Sequence, residues 1–146
     1  EAAGLSENIT VYTIEQKEEA FALIEENKKK SGLENIKVIR GAAPEAMQDL
    51  PVPTHAFIGG SGGKLKEILN VLYQKNPKMR VVINAISLET ISELNMILEE
   101  YPVQNEEIIQ IQVNRTKKAG KYHLMQAENP VWICSFAFGE ERENED

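Results

Sequence analysis

Apolar positions along this chain switch between a period near two and a period near four, and the switches mark out an alternation of strands and helices. Asn8-Ile9-Thr10-Val11-Tyr12-Thr13-Ile14 is rich in β-branched and aromatic residues and runs into Glu15, which predicts a strand with an acidic residue at its carboxyl tip. Between Glu18 and Lys30 the apolar positions Ala20, Phe21, Leu23 and Ile24 stand among charges, an amphipathic helix stopped at Ser31-Gly32. Leu33 to Arg40 contains a second strand, Ile36-Lys37-Val38-Ile39-Arg40. After Gly41-Ala42-Ala43, Pro44 suits the first turn of a short helix through Asp49. Thr54 to Ile58 gives a third strand that ends abruptly in Gly59-Gly60-Ser61-Gly62-Gly63. Leu65, Ile68, Leu69 and Leu72 then recur at the spacing of one helical face, up to about Asn76-Pro77.

Arg80-Val81-Val82-Ile83-Asn84-Ala85-Ile86 is a fourth strand, and its unbroken apolar centre suggests burial on both faces, as in a parallel sheet. Ser87 or Thr90 caps the next helix, which puts Ile91, Leu94, Ile97 and Leu98 on one face and stops before Pro102. The rhythm then changes. Glu106 to Arg115 alternates Ile109, Ile111 and Val113 as a strand, Thr116 to Gly120 turns, and Tyr122-His123-Leu124-Met125 leads through Asn129-Pro130 to a last strand, Val131 to Phe138. Two strands with no helix between them make an antiparallel pair at the sheet edge. The predicted fold is therefore a three-layer, Rossmann-like α/β sheet, mostly parallel, with an antiparallel C-terminal strand pair and helices on both faces. Residues 1–139 form the expected domain and 140–146 a charged tail without an apolar face. At the other end, Glu1-Ala2-Ala3-Gly4 reads as the last turn of a helix stopped by Gly4.

Composition narrows the function classes. Of the 146 residues 42% are hydrophobic, enough for a core, while the formal net charge of −7 argues against nucleic acid or an anionic membrane as partner, since both recruit basic surface. The one basic cluster, Arg115-Thr116-Lys117-Lys118 with Lys121, lies in a hairpin-like segment and reads as a solvated loop or a local anion contact. Cys134 stands alone in a strand, so it is expected to be a buried, inert thiol in a reducing compartment. One cysteine and two histidines leave no basis for a dedicated metal site. No apolar run approaches the ~20 residues of a membrane span. The cytoplasm is the expected location.

Two features carry candidate chemistry. Glycine lets a main chain lie directly against a ligand, and a glycine loop at the carboxyl end of a parallel strand is where open α/β sheets bind ligands. Four glycines in Gly59 to Gly63 exceed what a turn needs, although a tight turn alone would use some of them. Lys64 is followed by Leu65, so the loop lacks the Lys-Ser/Thr ending of a phosphate-binding P-loop. Glu15, at its strand tip, is placed to accept hydrogen bonds from both hydroxyls of a ribose, or else is simply solvated.

With these features in place, Phe57 to Gly63, the acidic strand tip and the antiparallel terminal pair resemble the class I S-adenosylmethionine-dependent methyltransferases. More narrowly, Ile58-Gly59-Gly60-Ser61-Gly62-Gly63, Asn84-Ala85-Ile86-Ser87-Leu88-Glu89-Thr90 and Gly120-Lys121-Tyr122-His123-Leu124 followed by Asn129-Pro130-Val131-Trp132-Ile133 resemble the decarboxylating precorrin-6Y methyltransferases of cobalamin biosynthesis, in their T-subunit domain. The resemblance runs from Glu1 to about Phe138. It implies methyl transfer from S-adenosylmethionine to a meso carbon of a tetrapyrrole, while an acetate side chain leaves as carbon dioxide. It also implies that Glu15 holds the ribose, that the main chain at Ala42 and Ala43 meets the adenine, and that Gly59 and Gly60 line the cofactor. Ser61, Gly62, Gly63, Asn84, Arg115, Tyr122 and His123 would then face the tetrapyrrole, with Lys117 and Lys121 as further carboxylate anchors. No catalytic residue is singled out, in keeping with a reaction that needs positioning more than acid–base chemistry. A homo-oligomer, such as a tetramer, and a partner methyltransferase domain are further implications of the resemblance.

Two departures stand out. The family's first, central strand and its Gly-x-Gly-x-Gly loop are absent from this sequence, so the 146-residue chain alone is expected to bind S-adenosylmethionine poorly and to be inactive by itself. Ala42 stands where the family often has an acidic residue for the adenine amino group. Other readings are a class I methyltransferase with a different acceptor, such as RNA, and a non-catalytic α/β module that binds partners or completes an oligomer.

Overall fold

Ile36 to Arg40 forms strand β2, which lies parallel to β1 (Val11–Glu15) with Val11 opposite Ile36 and Glu15 opposite Arg40. The connecting helix α1 (Glu18–Ser31) starts with Glu18 and Glu19 and ends with Lys28, Lys29 and Lys30, charges that complement its dipole at both ends. Gly32 closes it in the left-handed region at φ +66°. These elements belong to a first unit, Glu1–Pro51; a second, Val52–Asp146, is described by itself below. The computed structural model describes residues 1–139, so the predicted tail, 140–146, lies outside the described residues.

Three details of the first unit differ from expectation. Strand β1 begins at Val11, not Asn8, because Ser6 to Ile9 turns back on itself, and the Asn35 side-chain amide donates to the Ala3, Ser6 and Ile9 carbonyls at 2.8, 3.2 and 2.7 Å. Leu23 is exposed while Ala20, Phe21 and Ile24 are half-buried, since position 23 points well away from the direction shared by 20, 21 and 24 on a 3.6-residue turn. The short helix after Pro44 is a single 3-10 turn, Glu45–Met47, and the N-terminal turn, Ala2–Gly4, is of the same kind.

In the second unit the strands β3 (His55–Ile58), β4 (Arg80–Ala85), β5 (Val103–Ile111) and β8 (Val131–Phe138) form one sheet in the order β3-β4-β8-β5. β3 and β4 run parallel, and β8 runs against both β4 and β5, so β8 alone is reversed. Helix α2 (Leu65–Lys75) buries Leu65, Ile68, Leu69 and Leu72, the four positions its sequence period predicts, and α3 (Leu88–Glu100) buries Leu94 and Ile97. Val81, Ile83 and Ala85 of β4 and Cys134, Phe136 and Phe138 of β8 complete this core. Lys66 Nζ reaches Glu100 at 2.7 Å and links α2 to α3; the hydrogen bond and charge of Glu100 raise the Lys66 pKa. Tyr73, Tyr101 and Phe138 stack edgewise at 5.0–5.6 Å, and burial raises the Tyr101 pKa.

The late strands correct the expected boundaries. β5 starts at Val103, directly after Pro102, and ends at Ile111, with a bulge between Gln104 and Glu107 where Asn105 sits at φ +53°. Thr116 to Ala119 is not a turn. Asn114–Ala119 is strand β6, paired antiparallel with β7 (Tyr122–Ala127), and only Gly120-Lys121 turns, with Gly120 at φ +60°.

Candidate functional site

Ile58 and Ile83 are the last register partners of the parallel strands β3 and β4, so Gly59 leaves the sheet beside Asn84, which is still in β4 and paired with Ile133 of β8. Above them opens a cavity of about 230 Å³, lined by Ile58 to Gly63 and Leu65 from one chain segment and by Ile83 to Ile86 and Thr90 from the other. The loop's geometry separates glycines that the turn needs from those it does not. Gly62 and Gly63 sit at φ +59° and +80°, where an L side chain is strained, and the Lys64 N–H donates to the Ser61 carbonyl at 3.1 Å. A Cβ on Gly59 would come within 3.3 Å of the Phe57 ring. Gly60 is different: its backbone is ordinary and a Cβ there would meet nothing within 4 Å. No packing demand of the fold explains Gly60, which lines the cavity.

Asn84 is one of the polar residues lining this cavity, with Ser61 and Thr90. Its Oδ1 is buried and has no hydrogen-bond partner among the described residues, a state that costs about 1–3 kcal/mol. Ser87 holds the adjoining rim: its Oγ accepts from the Thr90 N–H at 3.3 Å and contacts Thr90 Oγ1 at 3.0 Å, which fixes the start of α3. Ile86 lines the cavity and is itself largely exposed, giving its mouth an apolar lip. Sequence reasoning named Asn84 and the glycines but not Ile86 and Thr90. The parallel register was the signal that could have found them, since it puts the residues after β4 beside the loop after β3.

In the first unit, the structure brings Glu15, Ala42 and Ala43 together at the carboxyl ends of β1 and β2. The Gly41 N–H donates to the Glu15 carbonyl at 3.1 Å, and the Lys17 N–H donates to Glu15 Oε1 at 2.8 Å. Arg40, although opposite Glu15 in register, pairs with Glu18 instead. That leaves Glu15 Oε2 with no partner among the described residues, a geometry that fits a donor pair such as a ribose diol. Ala42 is half-buried and its carbonyl already accepts from the Ala46 N–H at 2.9 Å. Among the described residues no three His, Cys, Asp or Glu side chains are grouped as a metal site would need.

Arg115, Tyr122 and His123 lie on the β6–β7 hairpin, and none of them lines the Asn84 cavity. Side chains alternate across a strand, so the register pairs Arg115–Gln126, Lys117–Leu124 and Ala119–Tyr122 share one face, while Lys118–His123 and Thr116–Met125 share the other. The hairpin thus brings Arg115 and Tyr122 to a common face and separates His123 from them. Arg115 Nε lies 3.3 Å from Glu128, and Lys121 Nζ sits 5.3 Å from the Tyr122 ring centre. Cys134 is fully buried, as expected, and burial pushes its thiol pKa up to about 11, with Glu106 adding to the shift.

Comparison with known proteins agrees with this geometry. Residues 3–137 match the family described as precorrin methyltransferase domain. A probable cobalt-precorrin-6B C(15)-methyltransferase (decarboxylating) from Pyrobaculum calidifontis is 32% identical over 132 residues, covering 90% of this chain and 67% of that protein. Its counterpart from Methanothermobacter thermautotrophicus is 34% identical over 123 residues, covering 83% and 64%. Among solved structures, a precorrin-6y C5,15-methyltransferase from Geobacter metallireducens superposes with a TM-score of 0.81 at 31% identity, over 93% of this chain and 72% of that one. The chain thus spans about two thirds of the length of these curated relatives, and its fold is the Rossmann-like methyltransferase fold. With residues 3–137 matched and identity above 30% across most of its length, the chain belongs to the precorrin methyltransferase domain family.

Proposed function

We propose that this protein is a cytoplasmic, S-adenosylmethionine-dependent methyltransferase of cobalamin biosynthesis, and that it methylates C15 of cobalt-precorrin-6B with loss of an acetate carboxyl as carbon dioxide. The observation that carries this reading is the cavity lined by the glycine loop at the carboxyl ends of β3 and β4, in a chain whose relatives are named for that reaction. S-adenosylmethionine, when bound, supplies a methyl group already activated by its sulfonium, so the protein's own residues have to bind, orient and exclude water. In the first unit, Glu15 receives the ribose hydroxyls through Oε2 and the main chain at Ala42 and Ala43 meets the adenine. In the second, Ser61, Gly62, Gly63 and Asn84 face the tetrapyrrole and Ile86 offers it an apolar edge.

The substrate's carboxylates suit the hairpin, which carries Arg115, Lys117, Lys118 and Lys121 and no acidic residue between Asn114 and Ala127. We also read the protein as a homo-oligomer. Ile108, Ile109, Ile111, Val113, Leu124 and Met125 are exposed along β5 and the hairpin, and a second copy of a chain with net charge −7 complements this apolar, basic arm. No helix among the described residues is long and apolar enough to cross a membrane.

The direct test is to incubate the protein with cobalt-precorrin-6B and methyl-labelled S-adenosylmethionine and to weigh the product. The expected product is one methyl heavier and one carbon dioxide lighter than the substrate. Label transferred without loss of carbon dioxide overturns the decarboxylating reading; no transfer by a protein that also carries the family's first strand and Gly-x-Gly-x-Gly loop overturns the activity, whereas no transfer by the 146-residue chain alone is the outcome expected of it.

A further inference from the structure

The amino end of α2 has the general character of an anion site. It follows a glycine loop at the carboxyl end of a parallel strand, its first N–H groups find no acceptor within the helix, and Lys64 and Lys66 add positive charge to the positive end of the dipole. Lys64 stands at the N-cap and makes no side-chain bond to the helix, so the loop supplies no local cap. The cap comes from another helix. Oε1 of Glu93, a half-buried residue of α3, accepts from the Lys66 N–H at 3.3 Å, and Glu100, two turns further along α3, holds Lys66 Nζ at 2.7 Å. Two carboxylates of the chain itself thus neutralise the place where a bound anion would sit. Glu93 also joins the two walls of the cavity. Leu65, beside Lys66, lines one wall, and Thr90, one turn before Glu93 on the same face of α3, lines the other. Among the described residues no charged side chain lines the cavity.

We propose that Glu93 is a built-in anion plug, which occupies the amino end of α2, ties the end of the glycine loop to α3, and restricts this cavity to uncharged parts of a ligand. The proposal deepens the methyltransferase reading above and takes only the ligand's identity from it. A phosphate or carboxylate that enters along the loop finds the Lys66 N–H taken, meets the charge of Glu93, and gives up its hydration to walls that offer no cation in return. A tetrapyrrole with a carboxylate-rich rim therefore presents an uncharged edge to the loop and keeps its carboxylates outside the cavity. Glu93 is a positioning residue: it acts through the Lys66 main chain and takes no chemical step.

The test titrates the 146-residue protein with inorganic phosphate at constant ionic strength and follows the amide NMR shifts of Leu65, Lys66 and Glu67. Glu93→Ala removes the plug, Glu93→Gln keeps an acceptor and removes the charge, and Glu99→Gln removes one exposed charge elsewhere on α3. The wild type and Glu99→Gln are expected to show no saturable shift in the millimolar range. Glu93→Ala should bind phosphate at least tenfold more tightly than the wild-type limit and Glu93→Gln at least threefold, with the Gly62 and Gly63 amides of Glu93→Ala already displaced before phosphate is added. A purely structural contact would lower stability without this gain of binding. Saturable millimolar binding by the wild type, a gain in Glu99→Gln equal to that in Glu93→Gln, or Glu93 variants within twofold of wild type overturns the proposal. If Glu93→Ala does not fold, Glu93→Gln against Glu99→Gln decides alone. The titration involves no methyl transfer, so its failure leaves the methyltransferase reading standing, and that reading falls only by the product assay above.

Discussion

Arg115 and His123 stand on opposite faces of the β6–β7 hairpin, because Arg115 pairs across the ladder with Gln126 and His123 with Lys118. A rigid, flat polycarboxylate lying on one face meets Arg115, Lys117 and Tyr122 but cannot also meet His123. Arg115→Gln is expected to raise KM for the tetrapyrrole about five- to tenfold with kcat within twofold, the loss of one exposed charge-assisted contact worth on the order of 1 kcal/mol. His123→Gln should leave both constants within twofold. Steady-state kinetics at low ionic strength measures the difference, which should shrink in 0.5 M salt at a Debye length of roughly 4 Å. A larger effect of His123 would put the ligand on the other face.

Gly60 and Gly62 sit two residues apart in the same loop and should fail differently. Gly60→Val adds volume to the cavity where a Cβ meets nothing within 4 Å, so the melting temperature should barely move while methyl transfer falls by about a hundredfold, as for a misplaced substrate. Gly62→Val forces an L side chain to φ +59° and should cost roughly 1–2 kcal/mol of stability in addition. Turnover retained by Gly60→Val would return the loop to the status of a plain turn.

How much of this was legible in the sequence can be followed residue by residue. Leu65, Ile68, Leu69 and Leu72 gave both the period and the buried face of α2, because a helix packed against a sheet repeats one contact every turn. The glycine run and Asn84 were singled out through their resemblance to a family, and the parallel register of β3 and β4 explains why they line one cavity. The segment read as hairpin-like, but its first strand, β6, was not legible. Arg115-Thr116-Lys117-Lys118 is fully exposed on both faces, so no apolar face imposes the alternation that marks a strand, and its pairing is set by the Gly120 turn. The separation of His123 from Arg115 followed from that register and was invisible without it.

Cys134 links stability to alkaline pH. Its thiol stays neutral in the fold up to about pH 11, whereas in the unfolded chain it ionises near the ordinary value of 9.0. The folded pKa is raised, so the stabilisation is complete below about 9 and is lost as pH rises toward 11, up to roughly 2–3 kcal/mol at 1.36 kcal/mol per unit. Thermal melts between pH 8 and 11 should therefore fall more steeply for the wild type than for Cys134→Ala, once the variant's constant cavity cost is subtracted. The same burial predicts that a thiol reagent at pH 8 labels Cys134 only after denaturation. Prompt labelling of the folded protein would contradict its place in the core.

Leu124 and Met125 are more than half exposed on a hairpin whose strands bury none of their side chains among the described residues. The two lie on opposite faces of the hairpin, so hiding both takes a second copy that clasps the arm from either side; each side chain then gains roughly 1.5–3 kcal/mol, and the basic residues around them favour an acidic partner surface. Leu124→Glu with Met125→Glu removes that gain and places two like charges against the acidic surface of the second copy. The dissociation constant of the oligomer should weaken by at least a hundredfold, since each 1.4 kcal/mol is a factor of ten. Multi-angle light scattering over a dilution series measures it. The wild type is expected above the 16.4 kDa of a single chain and the double variant at it, with unchanged far-ultraviolet circular dichroism in both. A wild type that remains monomeric at tens of micromolar would remove self-association as the role of this arm and leave its basic face to the substrate alone.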